Sequence, residues 1–247
     1  MTDIFYLPFI GFFVGVINSV SGGAGVFAVP LMLLLGIPPV NTLLLNRSAD
    51  LGGLIGAFFT YNKSKVIDWK LVFISIVPLV AGTFIGANFA ISVSETLLKK
   101  ILIFAVFVAI ILILNPLKPK SRQRSYKKTL LFCLLFILGI WDGMVGMAGI
   151  TFCVLIFAYV AGKDFLKGIG TTLTLFVPST LTAVIVLYRG ADIKWYLPML
   201  MFSFSFIGSC IGARLAVKKG EGLIKKAMIA VSLLMLAKLI FDLFIGN

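Results

Sequence analysis

Asn18-Ser-Val-Ser-Gly-Gly-Ala-Gly25 interrupts an apolar run, and Asp142-Gly-Met-Val-Gly-Met-Ala-Gly149 interrupts a second one in the same way. In a bilayer, backbone groups freed by such a break persist only where protein or a water-filled cavity satisfies them. Two matched interruptions therefore predict a site buried between two repeats, which is the pattern of a transporter.

The rest of the chain supplies the membrane. Of 247 residues 60% are apolar and 13% charged, and the mean hydropathy is +1.12, values outside the range of soluble domains. Residues 42–61, 71–91, 100–114, 171–187, 196–217 and 224–245 read as apolar helices, on the scale that about 30 Å of hydrocarbon requires. They are too uniformly apolar for the alternation of a membrane barrel. The fold class is all-α, a polytopic membrane protein.

A net charge of +13 would suit nucleic acid if it covered one face of a domain. Here the basic residues lie in short loops between apolar runs, so topology accounts for them and no nucleic-acid partner is expected. Met1-Thr-Asp-Ile-Phe5 has no basic region preceding the apolar run, so no removed leader is expected. Cys133, Cys153 and Cys210 are scattered through apolar segments and read as packing residues. With no histidine and no nucleophile beside a base, the chain is predicted to have no metal, no cofactor and no enzymatic activity.

The chain matches itself. In a register of 126, Gly82-Thr-Phe-Ile-Gly-Ala-Asn-Phe-Ala90 pairs with Gly208-Ser-Cys-Ile-Gly-Ala-Arg-Leu-Ala216, and Trp69 with Trp195. Upstream the register is 124, pairing Gly15 with Gly139, Gly22 with Gly146 and Gly25 with Gly149. This duplication divides the chain into a first transmembrane repeat over residues 1–115, a basic linker over 116–128 and a second repeat over 129–247. About ten helical segments are expected. Each repeat has a glycine-broken hairpin or pair of short helices followed by three transmembrane helices.

Loop charge sets the orientation. If each early pair returns to its starting side, sixteen Lys and Arg residues share one face, and only Lys99, Lys100, Arg189 and Lys194 occupy the other. If each pair is one broken span, the charges split almost evenly. The positive-inside rule selects the first arrangement, with a cytoplasmic linker, both termini outside and the second repeat inverted. A re-entrant hairpin and two short crossings satisfy it equally.

Each break is followed by a helix start, whose unsatisfied N–H groups at the positive end of the dipole attract an anion. Gly22, Gly23 and Gly25, with Gly146 and Gly149, allow positive φ and close backbone approach. Ser19 and Ser21 add hydroxyls and Asn18 an amide. Tight helix crossing is the competing role for such glycines, and it is the one expected of Gly11, Gly15, Gly52, Gly53 and Gly56.

Asp142 is the sharper signal, because a carboxylate within a membrane segment is costly and faces a cavity or partner. It has three candidate roles: proton carrier, cation ligand, or cap for the N–H groups of Val145 or Gly146. Arg47 and Asp50 share a helix face and can pair. They either neutralise one another, or Arg47 presents its planar fork to an oxyanion while Asp50 orients it. Asp50 joins Asp142 as a proton-coupling candidate, and Asn46 lies alongside. Thr171 and Thr174 occupy the equivalent positions in the second half, with Thr172 between them, so hydroxyls there would face charge here.

Gly11-Phe-Phe-Val-Gly15, Ser21-Gly-Gly-Ala-Gly25 and Pro30, repeated in part around residues 139–149, together with Asn46-Arg-Ser-Ala-Asp50, resemble the TauE/SafE sulfite exporters, also called the toluene-sulfonate uptake permease group. The likeness covers nearly the whole chain. Met147 departs from it where a third consecutive small residue would be more typical, as does Asp142 in place of Asn. The resemblance implies secondary transport of sulfur-containing anions such as sulfite, sulfoacetate or thiosulfate, often as export and driven by an ion gradient. The expected protein is a bacterial or archaeal inner-membrane transporter whose partners are a small anionic substrate and membrane lipid. The anion would sit near mid-membrane between the breaks, and one repeat would move against the other. A passive anion channel, and a cation transporter using Asp142 and Asp50, stand as alternatives, and the oligomeric state is open.

Overall fold

A computed structural model describes residues 6–21, 24–63, 67–114, 128–163 and 165–219. Among the described residues the chain is all-helical: α1 Tyr6–Ser21, α2 Gly25–Leu34, α3 Pro39–Lys63, α4 Trp69–Ser92, α5 Glu95–Leu114, α6 Lys128–Val145, α7 Gly149–Tyr159, α8 Phe165–Gly190 and α9 Tyr196–Lys219. Five of the six apolar stretches fall within α3, α4, α5, α8 and α9. The sixth, residues 224–245, lies outside the described residues. Trp69–Ser92, Lys128–Val145 and Lys167–Gly190 are each long and apolar enough to cross a membrane.

Local chemistry sets the boundaries that matter for the site. α2 and α7 have 10 and 11 residues, so each reaches only about half the hydrocarbon thickness at 1.5 Å per residue. Between α6 and α7, Gly146 at φ +73° and Ala148 at φ +60° turn the chain through the left-handed region. Ala148 is the one described non-glycine residue with positive φ, a conformation its Cβ disfavours. Both breaks are shorter than the sequence suggests. α1 continues through Asn18 to Ser21 and α6 through Asp142 to Val145, so these two polar residues occupy the last helical turns and project from regular backbone.

Packing is reciprocal between the halves. α1 packs against α9, and its counterpart α6 packs against α4. Gly11 meets Met201, Gly15 meets Ser205 and Gly212 meets Val16, while Gly82 meets Gly139 and Gly86 meets Ile140 and Met144. Residue numbers rise together along each contact, so both pairs run parallel. A Cβ on Gly139 would lie 3.0 Å from the Gly82 Cα, which is why neither position tolerates a side chain. Without a hydrophobic force between helices in lipid, such backbone approach supplies the dispersion and Cα–H contacts that hold them. Gly52 and Gly56 do the same for α3 against Phe202 and Phe206 of α9.

The counterparts α3 and α8 pack on each other in the opposite sense. At the start of α3, Asn41 donates to the carbonyl of Asp192, just beyond the end of α8, at 3.1 Å. Beyond the end of α3, the Asp68 N–H donates to Thr171 near the start of α8 at 3.0 Å. α3 and α8 are therefore antiparallel.

Large apolar side chains point outward as well as inward. Phe73 and Phe9 are 68% and 67% exposed, which a lipid environment explains. Trp69, Tyr188 and Trp195 are exposed at helix ends. The three cysteines are free, with Cys153 buried and Cys133 exposed.

Candidate functional site

The middle of α3 places Asn46, Arg47, Ser48 and Asp50 in the interior, all at most 7% exposed. Ser48 returns its hydroxyl to the Leu44 carbonyl at 2.8 Å, which satisfies it within the helix. Asn46, Arg47 and Asp50 lie on one helical face and find partners in both breaks.

Towards the first break, Asn18 donates from Nδ2 to Asp50 Oδ1 at 2.6 Å, and its Oδ1 accepts the Ala24 N–H at 2.9 Å. One amide thus joins the end of α1, the approach to α2 and the middle of α3. Towards the second break, Asn46 Nδ2 donates to Asp50 Oδ2 and to the Gly146 carbonyl, both at 3.1 Å. Arg47 Nη2 lies 2.8 Å from Asp142 Oδ2 and also donates to the Asp142 main-chain carbonyl. Arg47 Nη1 lies 3.6 Å from Asp50 Oδ2. Trp141 Nε1 closes the second break by donating to the Met147 carbonyl at 3.1 Å.

The two breaks themselves touch. A Cβ on Gly25 would lie 2.8 Å from the Gly146 carbonyl oxygen, so glycine at the start of α2 is what lets the segments meet. Beside this contact is a cavity of about 20 Å³ lined by Asn18, Gly25, Arg47, Asp50, Asp142, Gly146 and Gly149, with Leu54, Met147, Ala148, Ile150, Phe176 and Thr180 completing the wall. That volume matches about one water molecule. One guanidinium thus serves two carboxylates where two half-helices begin. Separating such a buried pair by removing one partner costs several kcal/mol.

Seven sequence candidates therefore line one cavity: Asn18, Gly25, Arg47, Asp50, Asp142, Gly146 and Gly149. Asn46 stands behind them as a bridge. Ser19 turns away, its hydroxyl bonded to the Val16 carbonyl at 2.9 Å and packed where a Gly212 side chain would be. Thr171 sits near the start of α8, engaged by Asp68, and Thr172 is buried beside Cys153. Gly22, Gly23 and the side chain of Ser21 lie outside the described residues. Of the three roles open to Asp142, capping is not the one its side chain takes. The carboxylate goes to Arg47, and it is the main-chain carbonyl that accepts the Gly146 N–H, at 2.9 Å.

Sequence reasoning passed over Phe176 and Thr180. Their i,i+4 spacing on α8 places them on one face, but the sequence does not mark that face as the one turned to the cavity. Among the described residues no group of three His, Cys, Asp or Glu side chains is placed to hold a metal.

Away from the cavity, Lys163 Nζ lies 2.6 Å from Asp68 Oδ2, tying the α7–α8 connection to the start of α4. Partial burial opposes the Asp68 charge. The Lys163 ammonium and the Leu71 N–H outweigh it and hold the carboxyl below its ordinary value.

A model of the family described as sulfite exporter TauE/SafE matches residues 7–239. Among curated proteins, the probable membrane transporter protein YfcA of Escherichia coli strain K12 is 29% identical over 96% of this chain and 89% of its own length. The probable membrane transporter protein ORF9 of a Sinorhizobium species is 32% identical over 94% and 90%. A probable membrane transporter protein of Haemophilus influenzae is 24% identical over 94% and 92%. No solved structure matches the chain.

Proposed function

We propose a function from one premise: this chain belongs to the TauE/SafE sulfite exporter family. It is a membrane transporter and not an enzyme. The proposal is that it carries a small sulfur-containing oxyanion, sulfite or an organosulfonate, outward across a prokaryotic inner membrane by alternating access.

The observation that carries this reading is Arg47. Its guanidinium is 2% exposed and placed on the cavity where both half-helices start. A planar fork of this kind binds an oxyanion in two-point fashion, and the start of α7 adds N–H groups at the positive end of a helix dipole.

The second carboxylate supplies the coupling. With Asp50 and Asp142 both ionised, the cluster carries one net negative charge and repels an incoming anion. A proton on Asp142 removes that charge and releases Arg47 Nη2 to the substrate. Anion and proton then move together, and departure of the anion lets Asp142 return its proton and reclaim the guanidinium. The cavity is too small for sulfite, so substrate entry requires the halves to separate. The antiparallel α3 and α8, and the reciprocal α1–α9 and α4–α6 contacts, support two inverted repeats as the moving parts. The loop charges support a cytoplasmic linker with both termini outside.

The convergence of Asp50 and Asp142 favours one other reading, a cation carrier. Arg47 between them opposes it. Uptake of labelled sulfite into proteoliposomes separates these cases. The proposal expects accumulation driven by a pH gradient. Downhill flux without accumulation indicates a channel, and sodium or divalent-cation flux without anion dependence indicates a cation carrier.

A further inference from the structure

Thr180 is completely buried, lines the cavity with Arg47 and Asp142, and its hydroxyl has no hydrogen-bond partner. Ser75, Thr172 and Ser205 are also buried with unpartnered hydroxyls, but of these four only Thr180 lines the cavity. Helical hydroxyls normally bond back to the carbonyl four residues earlier, and Thr174 and Thr182 on the same helix do so, each at 2.9 Å. Ser179, its neighbour, instead meets the Thr83 hydroxyl at 2.6 Å. Thr180 does neither. A buried hydroxyl without a partner is destabilising, so a valine of the same shape would serve packing better.

A second donor at the cavity is also unspent. The Nη atoms of Arg47 are occupied by Asp142 and Asp50, but its Nε has no partner. Two unsatisfied donors thus belong to residues that line the same small polar space, one from each half of the chain. Paired donors without acceptors match a ligand with several equivalent oxygens.

We propose that Thr180 is a substrate-contacting residue that donates its hydroxyl to one oxygen of the transported oxyanion while Arg47 holds another. This rests on the oxyanion-transport reading and deepens it by placing a contact on α8. The anion is then gripped from both halves, by Arg47 on α3 and Thr180 on α8. Its binding energy depends on how those two helices stand to one another, which links occupancy to the movement of the halves.

The test measures sulfite and methanesulfonate uptake in proteoliposomes, together with the thermal midpoint of the purified protein in detergent with and without each anion. Thr180→Val should raise the apparent KM for both anions about ten-fold or more, the loss expected for a hydrogen bond to a charged ligand, with a smaller change in maximal rate. Thr180→Ser should stay within about three-fold of the native protein, since it keeps the donor. Without anion, Thr180→Val should melt no lower than the native protein, whereas the stabilisation by added sulfite should fall away. Thr180→Ala makes the same deletion if the valine variant is not recovered. Native affinity and native sulfite stabilisation in the valine variant, alongside impaired Arg47→Ala, overturn the Thr180 contact and leave the transport reading standing. A native protein that moves neither anion overturns that reading and the Thr180 contact with it.

Discussion

Arg47 on α3 and Asp142 at the end of α6 are 95 residues apart in sequence and 2.8 Å apart in space. The same Arg47 nitrogen also holds the Asp142 main-chain carbonyl, so the second break is fastened to α3 through one residue's side chain and backbone together. Asp50 faces the guanidinium from the same helix, and Cys153 faces Asp142 from α7. Any ligand that needs the Arg47 fork must compete with Asp142 for it.

Asp142→Asn removes the competing charge and the group that would carry a proton. The variant should lose accumulation of sulfite driven by a pH gradient, yet still exchange labelled for unlabelled sulfite across the membrane at equal pH. Accumulation at the native level with the gradient imposed removes Asp142 from the coupling step.

How much of this was legible in the chain depends on whether the signal was local. The breaks could be read because glycine clusters inside apolar runs are conspicuous, and the Arg47–Asp50 pair because i,i+3 spacing fixes a common face. The Arg47–Asp142 pair could not be read, since it is created by the packing of α3 against the second half. Duplication predicts equivalent positions but not equivalent faces. Thr171, which aligns with Arg47, lies near the start of α8 and accepts the Asp68 N–H. Thr180 was missed because a threonine in an apolar helix ordinarily satisfies itself on its own backbone, and only the three-dimensional arrangement shows that this one does not.

The glycine crossings carry a stability prediction. In Gly139→Ala the new Cβ meets the backbone of α4 at Leu79, Gly82 and Thr83, atoms that cannot step aside, so a loss of about 1–3 kcal/mol is expected from overpacking. Gly168→Ala provides the contrast, because its nearest neighbour is a Val154 methyl 3.8 Å away. It should be neutral or slightly stabilising through helix propensity. Unfolding midpoints in a single detergent compare the two, and equal midpoints would remove the packing role of Gly139.

Asp68 and Lys163 give a pH dependence with a definite sign. The folded Asp68 carboxyl ionises below its ordinary value of 3.8, so its ion pair stabilises the protein above that value and the contribution disappears as pH falls through the lowered one. The pair is partly exposed, which limits it to about 1 kcal/mol or less. Asp68→Asn retains an acceptor for the Leu71 N–H and loses only the charge. Its melting temperature should lie slightly below native at neutral pH and converge with it in acid. A gap that widens on acidification contradicts the assignment.

Orientation has its own test. The proposed arrangement has both termini outside, so a reporter fused after Asn247 and active only outside the cytoplasm should be active. A fusion active only as a cytoplasmic reporter overturns the inverted arrangement.

The central claim is that Arg47 binds the transported anion, and the apparent KM for labelled sulfite in proteoliposomes tests it most directly. Arg47→Ala, reconstituted to the same protein density as native and checked for folding by its elution as a single species, should show no saturable uptake. Saturable uptake with native apparent KM and rate would contradict the account.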